Sequence, residues 1–254
     1  MVVMGIYDRF IPAPFVSGRT IAEVWPKALS LIVGTGHIQG PVVDQRGDQV
    51  YEVVGLQVVL SDPTRDMIPP LPKMPGVTAW GDRRALDDYS DREILGSKES
   101  PRGFEYIYAD WIRPPLAWVI DLLRRCPDAR RAILPVGGFE DYRKLDPPCL
   151  RSVQFLIRGG KLDMVTTWRS RDYAGAAATN MYGLVRLQQH VAKELDILVG
   201  RYIDFSASAH IRVGKAGNQN DRGDLPWVEE VITRSSSTPS PSAGRVTSLK
   251  PTSI

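Results

Sequence analysis

Cys149 stands in Asp146-Pro147-Pro148-Cys149, where two prolines fix the backbone approach to a thiol at the head of a strand-like run. A cysteine attacks as the thiolate, and nearby positive charge is what makes the thiolate accessible near neutrality. The following run, SVQFLIRGGKLDMVTTW, reads as two strands reversed at Gly159-Gly160, so the second strand carries Arg169 back toward the sulfur. Other cations occur at Arg46, within Asp44-Gln45-Arg46-Gly47, and at the adjacent pair Arg130-Arg131. Several arginines together with the Ser170 hydroxyl would make a fork-like clamp for a phosphate. Asn180 carries both a donor and an acceptor, which suits it to reading the edge of a pyrimidine. Asp172 and His210 complete the set of candidates. Every one of these residues also has an ordinary use. Cys149 could be a buried structural thiol, Arg130 and Arg131 solvated, Asp172 a helix cap, Asn180 the start of a helix and His210 a satisfied core histidine.

Composition removes several classes of function. The 32 basic and 29 acidic side chains leave a formal charge of +3, too small an excess for a nucleic-acid-binding stripe. Cys126 and Cys149 are the only cysteines, so a disulfide scaffold is not expected and a reduced, cytoplasmic setting is. MVVMGIYDRFIPAPF has neither a basic lead nor a sustained apolar run, and no signal peptide is expected. No stretch approaches the roughly 18 apolar residues of a membrane span. A thiol hydrolase is disfavoured, because none of the three histidines is tied to Cys149 by spacing.

The elements that must position these residues follow from periodicity. Residues 1–18 read as an irregular arm. A helix follows with Thr20 as its cap and Ile21, Val24, Trp25, Leu29 and Ile32 on one face, breaking at GTGHIQGP. VYEVVGLQVVL reads as a strand with a bulge at Gly55. Residues 61–76, with five prolines, and the polar stretch 81–103 read as loop. PPLAWVIDLLRRC predicts a helix opened by its prolines, and ARRAILPV a buried strand. Met181, Leu184, Leu187, Val191 and Leu195 predict a helix over about 180–195. GRYIDFSASAHIRV predicts a last strand. From Arg234 the chain becomes SSSTPSPSAGRVTSLKPTS, which cannot repay the cost of ordering. The expected organisation is one domain over 1–233 and a disordered tail over 234–254.

The run DPPCLRSVQFLIRGGKLDMVTTWRSRDYAGAAATNMYGLVRLQQHVAKEL resembles the active-site core of the thymidylate synthase superfamily. CPDARRAIL before it, GRYIDFSASAHI behind it, FEYIYADWIR and GVTAW resemble further segments of that family in the same order. The similarity runs from about Arg46 to Arg212, in a compact, archaeal-like layout. It implies an α/β (α+β) fold, a mostly antiparallel sheet with helices on one face and a dimer interface on the other.

It also implies roles. Cys149 would attack C6 of a pyrimidine nucleoside monophosphate, and C5 would take the methylene of 5,10-methylenetetrahydrofolate or a related reduced pterin, with no metal. Arg169 would activate the thiol and touch phosphate, with Arg46 and Ser170 beside it and Arg130 and Arg131 donated by the second subunit of a homodimer. Asn180 would bind the uracil edge, Asp172 would support base and folate, and His210 would hold the sugar. Tyr108 would position nucleotide and catalytic groups, and Trp80 would stack near the folate.

Four departures qualify the resemblance. No glutamate occurs between Gly55 and Trp80, where the family carries a catalytic one. Arg212 replaces a sugar-binding tyrosine, which could admit ribose. The Asp82-Arg83 region replaces a second tryptophan. A low-complexity tail replaces the closing C-terminal segment. The leading expectation is methylation of dUMP, or of UMP. Its alternatives are hydroxymethylation of a uracil or cytosine monophosphate, in phage or nucleoside-antibiotic metabolism, and a homologue that binds nucleotide without turnover.

Overall fold

The computed structural model describes residues 14–68, 82–99, 106–218 and 220–237. The expected stacking residue Trp80 lies outside them, as do 1–13 and 238–254. The fold is mixed α/β around one central sheet. Its strands are β1 (Phe15–Gly18), β2 (Val42–Val43), β3 (Asp48–Leu60), β4 (Ile133–Pro135), β5 (Leu150–Arg158), β6 (Lys161–Trp168), β7 (Arg171–Asp172) and β8 (Leu198–Lys215). They run in the order β1-β3-β8-β6-β5-β4, with β2 on β3 and β7 on β8. Pairing is antiparallel for β2–β3, β3–β8, β4–β5 and β5–β6, and parallel for β1–β3, β6–β8 and β7–β8.

Helices α1 (Ile21–Gln39), α2 (Arg83–Tyr89), α3 (Ala109–Arg125), α4 (Ala177–Glu194) and α5 (Leu225–Ser237) complete the fold. The helical layer and the sheet share one core, in which Trp25 and Leu29 of α1, Leu184 and Leu187 of α4, Leu56 and Val58 of β3, and Tyr202 of β8 are fully buried. The alternation of β3 changes phase at Gly55, so that Val53 and Leu56 are both buried while Val54 is 73% exposed, and Phe205 of β8 is 40% exposed.

Several expectations are corrected. Residues 15–18 are not part of an arm; they pair in parallel with Gln57–Leu60. Helix α1 does not break at its glycines but runs on to Gln39, because Gly36 is where the helix meets the Tyr51 ring. A Cβ on Gly36 would lie 2.0 Å from Tyr51 Cγ. The register shift of β3 falls at Gln49/Val50; Gly55 instead turns the strand with φ +76°. The polar stretch read as loop contains α2 and a π-helical turn, Ser90–Ile94, whose Leu86 and Ile94 are buried. Helix α3 starts at Ala109, since buried Ala109 and Ile112 extend its apolar face, and Pro114 and Pro115 fall inside it. Strand β4 is shorter than the run 129–136 suggested. Helix α5 was not expected, and it takes in residues 234–237 of the presumed tail. It is held by Trp227, stacked 6.3 Å from Trp25, and by buried Val228 and Val231.

Candidate active site

The β5–β6 hairpin turns at Gly159 and Gly160, both at positive φ (+56° and +73°), which only glycine adopts without strain. Its pairing brings the Arg169 N–H to the Cys149 carbonyl at 2.9 Å, so the two residues are neighbours across the open end of the hairpin. The Arg169 guanidinium then folds back over the segment before the cysteine. Its Nη2 donates to Pro147 O at 2.6 Å and to Asp146 Oδ1 at 3.3 Å, and its Nε donates to Pro148 O at 3.2 Å. From β3's side, Arg46 Nη2 donates to Asp146 Oδ2 at 2.7 Å. Two arginines thus converge on one aspartate beside the thiol.

Burial pushes the Cys149 thiol up. Arg169 pulls it down as expected, helped by Tyr106 and Arg46, but their effect does not overcome desolvation and the Asp146 charge. Arg169 thus acts in the direction expected of it, and burial outweighs it in the net shift. Tyr106, pushed up to about 12 mainly by its own burial, accepts the Cys149 backbone N–H at 3.3 Å.

Cys149, Arg46, Arg169, Ser170, Asp172, His210 and Arg212 all line one cavity of about 430 Å³. That volume falls within the range of small-molecule sites. His210 on β8 sits between two carboxylate-bearing neighbours, paired in register with Glu52 of β3 and with Asp172 of β7. Asp172 Oδ1 is tied to the N–H groups of Ala174 and Gly175, at 3.0 and 2.8 Å. Arg212 Nη1 is paired with Asp221 at 3.0 Å.

The remaining expected residues lie elsewhere. Asn180 is in the first turn of α4, buried, with its Nδ2 donating to the Tyr89 hydroxyl at 2.6 Å. Tyr108 is buried edge-on against Trp168, with ring centroids 5.9 Å apart, and does not line the cavity. Arg130 and Arg131 are exposed before β4, on a separate shallow surface shared with Cys126 and Asp128.

Sequence reasoning missed Asp146, Glu52, Tyr106 and Tyr89. Glu52 had a signal, a lone carboxylate in the β-branched run VYEVV. Five carboxylates line the cavity, and four are committed: Asp44 to backbone N–H groups, Asp48 to Lys215, Asp146 to two arginines and Asp172 to its own turn. Among the described residues, Glu52 accepts only the Ser208 hydroxyl.

The family model for thymidylate synthase matches residues 113–242. A protein from Methanosarcina barkeri named "Putative thymidylate synthase" is 34% identical over 215 residues, covering 80% of this chain and 92% of its own. The chain belongs to the thymidylate synthase family. Relatives of the same name from Methanosarcina acetivorans and Methanothermobacter thermautotrophicus are 32% and 31% identical, over 80% and 75% of this chain and 92% and 90% of theirs. Membership makes the chain a one-carbon transferase acting at C5 of a pyrimidine, in a family that depends on folate. The thymidylate synthase match spans Cys149, Arg169, Ser170, Asp172, Asn180, His210 and Arg212, whereas Arg46 and Glu52 lie before it. Among the described residues no cluster of three metal-ligating side chains occurs, and no helix is long and apolar enough to cross a membrane.

Proposed function

We propose that this enzyme methylates C5 of a uridylate, dUMP or UMP, through a covalent bond between Cys149 and C6. The observation that carries the reading is the placement of the Cys149 thiol in one cavity with Arg169, Arg46 and Ser170. Attack by the thiolate at C6 moves an electron pair to C5 and O4, and C5 bonds the methylene of 5,10-methylenetetrahydrofolate. C5 then loses its proton as tetrahydrofolate leaves, and a hydride from that tetrahydrofolate reduces the exocyclic methylene to methyl. The Cys149–C6 bond breaks, releasing product and dihydrofolate. Arg46, Arg169 and Ser170 hold the phosphate, which competes with Asp146 for both guanidinium groups. His210 takes the sugar hydroxyl, with Arg212 beside it. Asn180 binds the uracil edge and stabilises charge at O4, a role that requires its bond to Tyr89 to be shared or exchanged.

Arg130 and Arg131 serve the phosphate of a neighbouring subunit. Two features support a homodimer: both arginines are exposed away from their own chain's cavity, and the outward sheet face carries exposed Val54 and Phe205. Two unpaired cysteines suit a cytoplasmic enzyme.

The test is release of tritium from C5-labelled dUMP, UMP and dCMP with methylenetetrahydrofolate, with product mass read in the same tubes. Release from a uracil nucleotide, lost in Cys149→Ala by on the order of 10³-fold or more, is the expected result. A hydroxymethyl mass would replace methylation with hydroxymethylation. Nucleotide binding without any release would leave a non-catalytic homologue.

A further inference from the structure

Between the cavity-lining residues Ser170 and Asp172 lies one residue that points the other way. Arg171 on β7 is buried in the core, its side chain 1% exposed, and it is paired with Asp204 of β8, whose side chain is 0% exposed. The Arg171 Nη1 donates to Asp204 Oδ2, and its Nη2 donates to Ala177 O, at the start of α4, at 3.1 Å. The guanidinium carbon sits over the Trp168 ring, 4.1 Å from its centroid. Asp204 is in turn surrounded by donors: the Tyr202 hydroxyl at 2.6 Å, Thr166 Oγ1 at 3.1 Å and Ser206 Oγ at 3.3 Å. Arg171 Nε is buried and has no hydrogen-bond partner among the described residues.

Such an arrangement is a poor source of stability. Removing both charges from water costs more than a well-packed apolar pair would, and the unpartnered Nε adds to that cost. What the pair does supply is geometry. A planar fork held by a carboxylate, a carbonyl and a ring face has little freedom to shift or rotate. Its anchors sit on β6, β8 and α4, so the short β7 segment is fixed to three elements at once. The residues on either side of Arg171 in sequence are Arg169 and Ser170, and then Asp172, all on the cavity that contains Cys149.

We propose that the buried Arg171–Asp204 pair is a positioning device that sets Arg169, Ser170 and Asp172 against the Cys149 thiol. This extends the functional reading above and shares its assignment of the cavity. Neither residue touches substrate; both act through the segment that does. A displacement of one ångström in a binding group is enough to cost on the order of a hundredfold in rate.

The test compares wild type with the double variant Arg171→Met/Asp204→Leu and with Asp204→Asn. The second variant removes the charge but retains an oxygen for Tyr202, Thr166 and Ser206. Thermal unfolding, the pH profile of Cys149 alkylation by iodoacetamide with Cys126→Ser as background, and KM and kcat for dUMP and UMP are measured on each. The expected result is an unfolding midpoint close to wild type in at least one variant. In that variant the alkylation profile is displaced to higher pH, and KM is raised by about tenfold or more. A folded variant with an unchanged alkylation profile overturns the proposal, as does loss of folding in both. The alkylation arm needs no nucleotide. If no pyrimidine monophosphate binds even wild type, the functional reading fails while the positioning role is still decided by the thiol.

Discussion

Arg169 and Asp146 are joined at 3.3 Å beside the Cys149 thiol, and the same carboxylate holds Arg46 at 2.7 Å from the other side. One aspartate therefore gathers the two cations that a substrate phosphate would need, and opposes their effect on the sulfur. The Asp146 charge raises the thiol pKa, and both arginines lower it. Asp146→Asn should move the thiol's titration to lower pH, and Arg169→Met should move it higher. The rate of iodoacetamide alkylation against pH checks both. The stability linkage has the sign of a group raised on folding. The thiol's contribution is complete below its ordinary range and is lost as pH rises through the raised value. An Asp146→Asn profile at or above that of wild type would contradict this account of the site.

Among the described residues, Glu52 is the cavity carboxylate held by neither a cation nor a backbone amide, and it is paired in register with His210. Whether Glu52 exchanges protons with a bound pyrimidine, in a chain that lacks the family's glutamate between Gly55 and Trp80, is tested by removing its acidity alone. Glu52→Gln keeps the Ser208 contact and removes the proton acceptor. It should lower kcat by about 10²–10⁴-fold and leave the dissociation constant for uridylate within a few-fold. A large loss of affinity at unchanged kcat would instead assign Glu52 to the sugar.

Asn180 and Tyr89 are linked at 2.6 Å, and Tyr89 is half-buried with its hydroxyl pushed up by desolvation. The bond orients the amide without any charge. Asn180→Asp replaces the donor with an acceptor, and the ratio of kcat/KM for dCMP over dUMP should rise. An unchanged ratio would remove Asn180 from base recognition. Tyr89→Phe should cost about 0.5–1.5 kcal/mol of stability and leave that ratio where it was.

The parts of the fold set by local chemistry could be read from the chain. The Gly159-Gly160 turn, the Thr20 cap with its apolar helix face and the Met181–Leu195 periodicity each correspond to an element in nearly the expected place. The site residues on or next to that hairpin, Cys149, Arg169, Ser170 and Asp172, were legible for the same reason. What failed depends on contacts distant in sequence. Helix α5 exists because Trp227 meets Trp25, and α2 because Leu86 is buried by the rest of the chain. Neither contact leaves a periodic trace long enough to read. Glu52 and Tyr106 were missed as site residues because sheet register and packing, respectively, bring them to the cavity and to the cysteine.

Helix α1 offers an internal comparison, because two of its glycines have opposite surroundings. Gly36 faces β3, and a Cβ there would lie 2.0 Å from Tyr51 Cγ and 2.4 Å from its Cβ. The ring is attached to a strand in mid-sheet, so the clash can be relieved only by moving the helix or the strand. Gly36→Ala should cost about 1–3 kcal/mol, which for a chain of this size lowers the unfolding temperature by about 2–4 °C per kcal/mol. Gly34, two residues earlier, is exposed, and a Cβ there meets nothing within 4 Å. Gly34→Ala should therefore show the bare helix preference and stabilise by about 0.5–1 kcal/mol. Thermal unfolding of the two variants checks both signs together. If Gly34→Ala destabilises as much as Gly36→Ala, the helix does not continue through this segment.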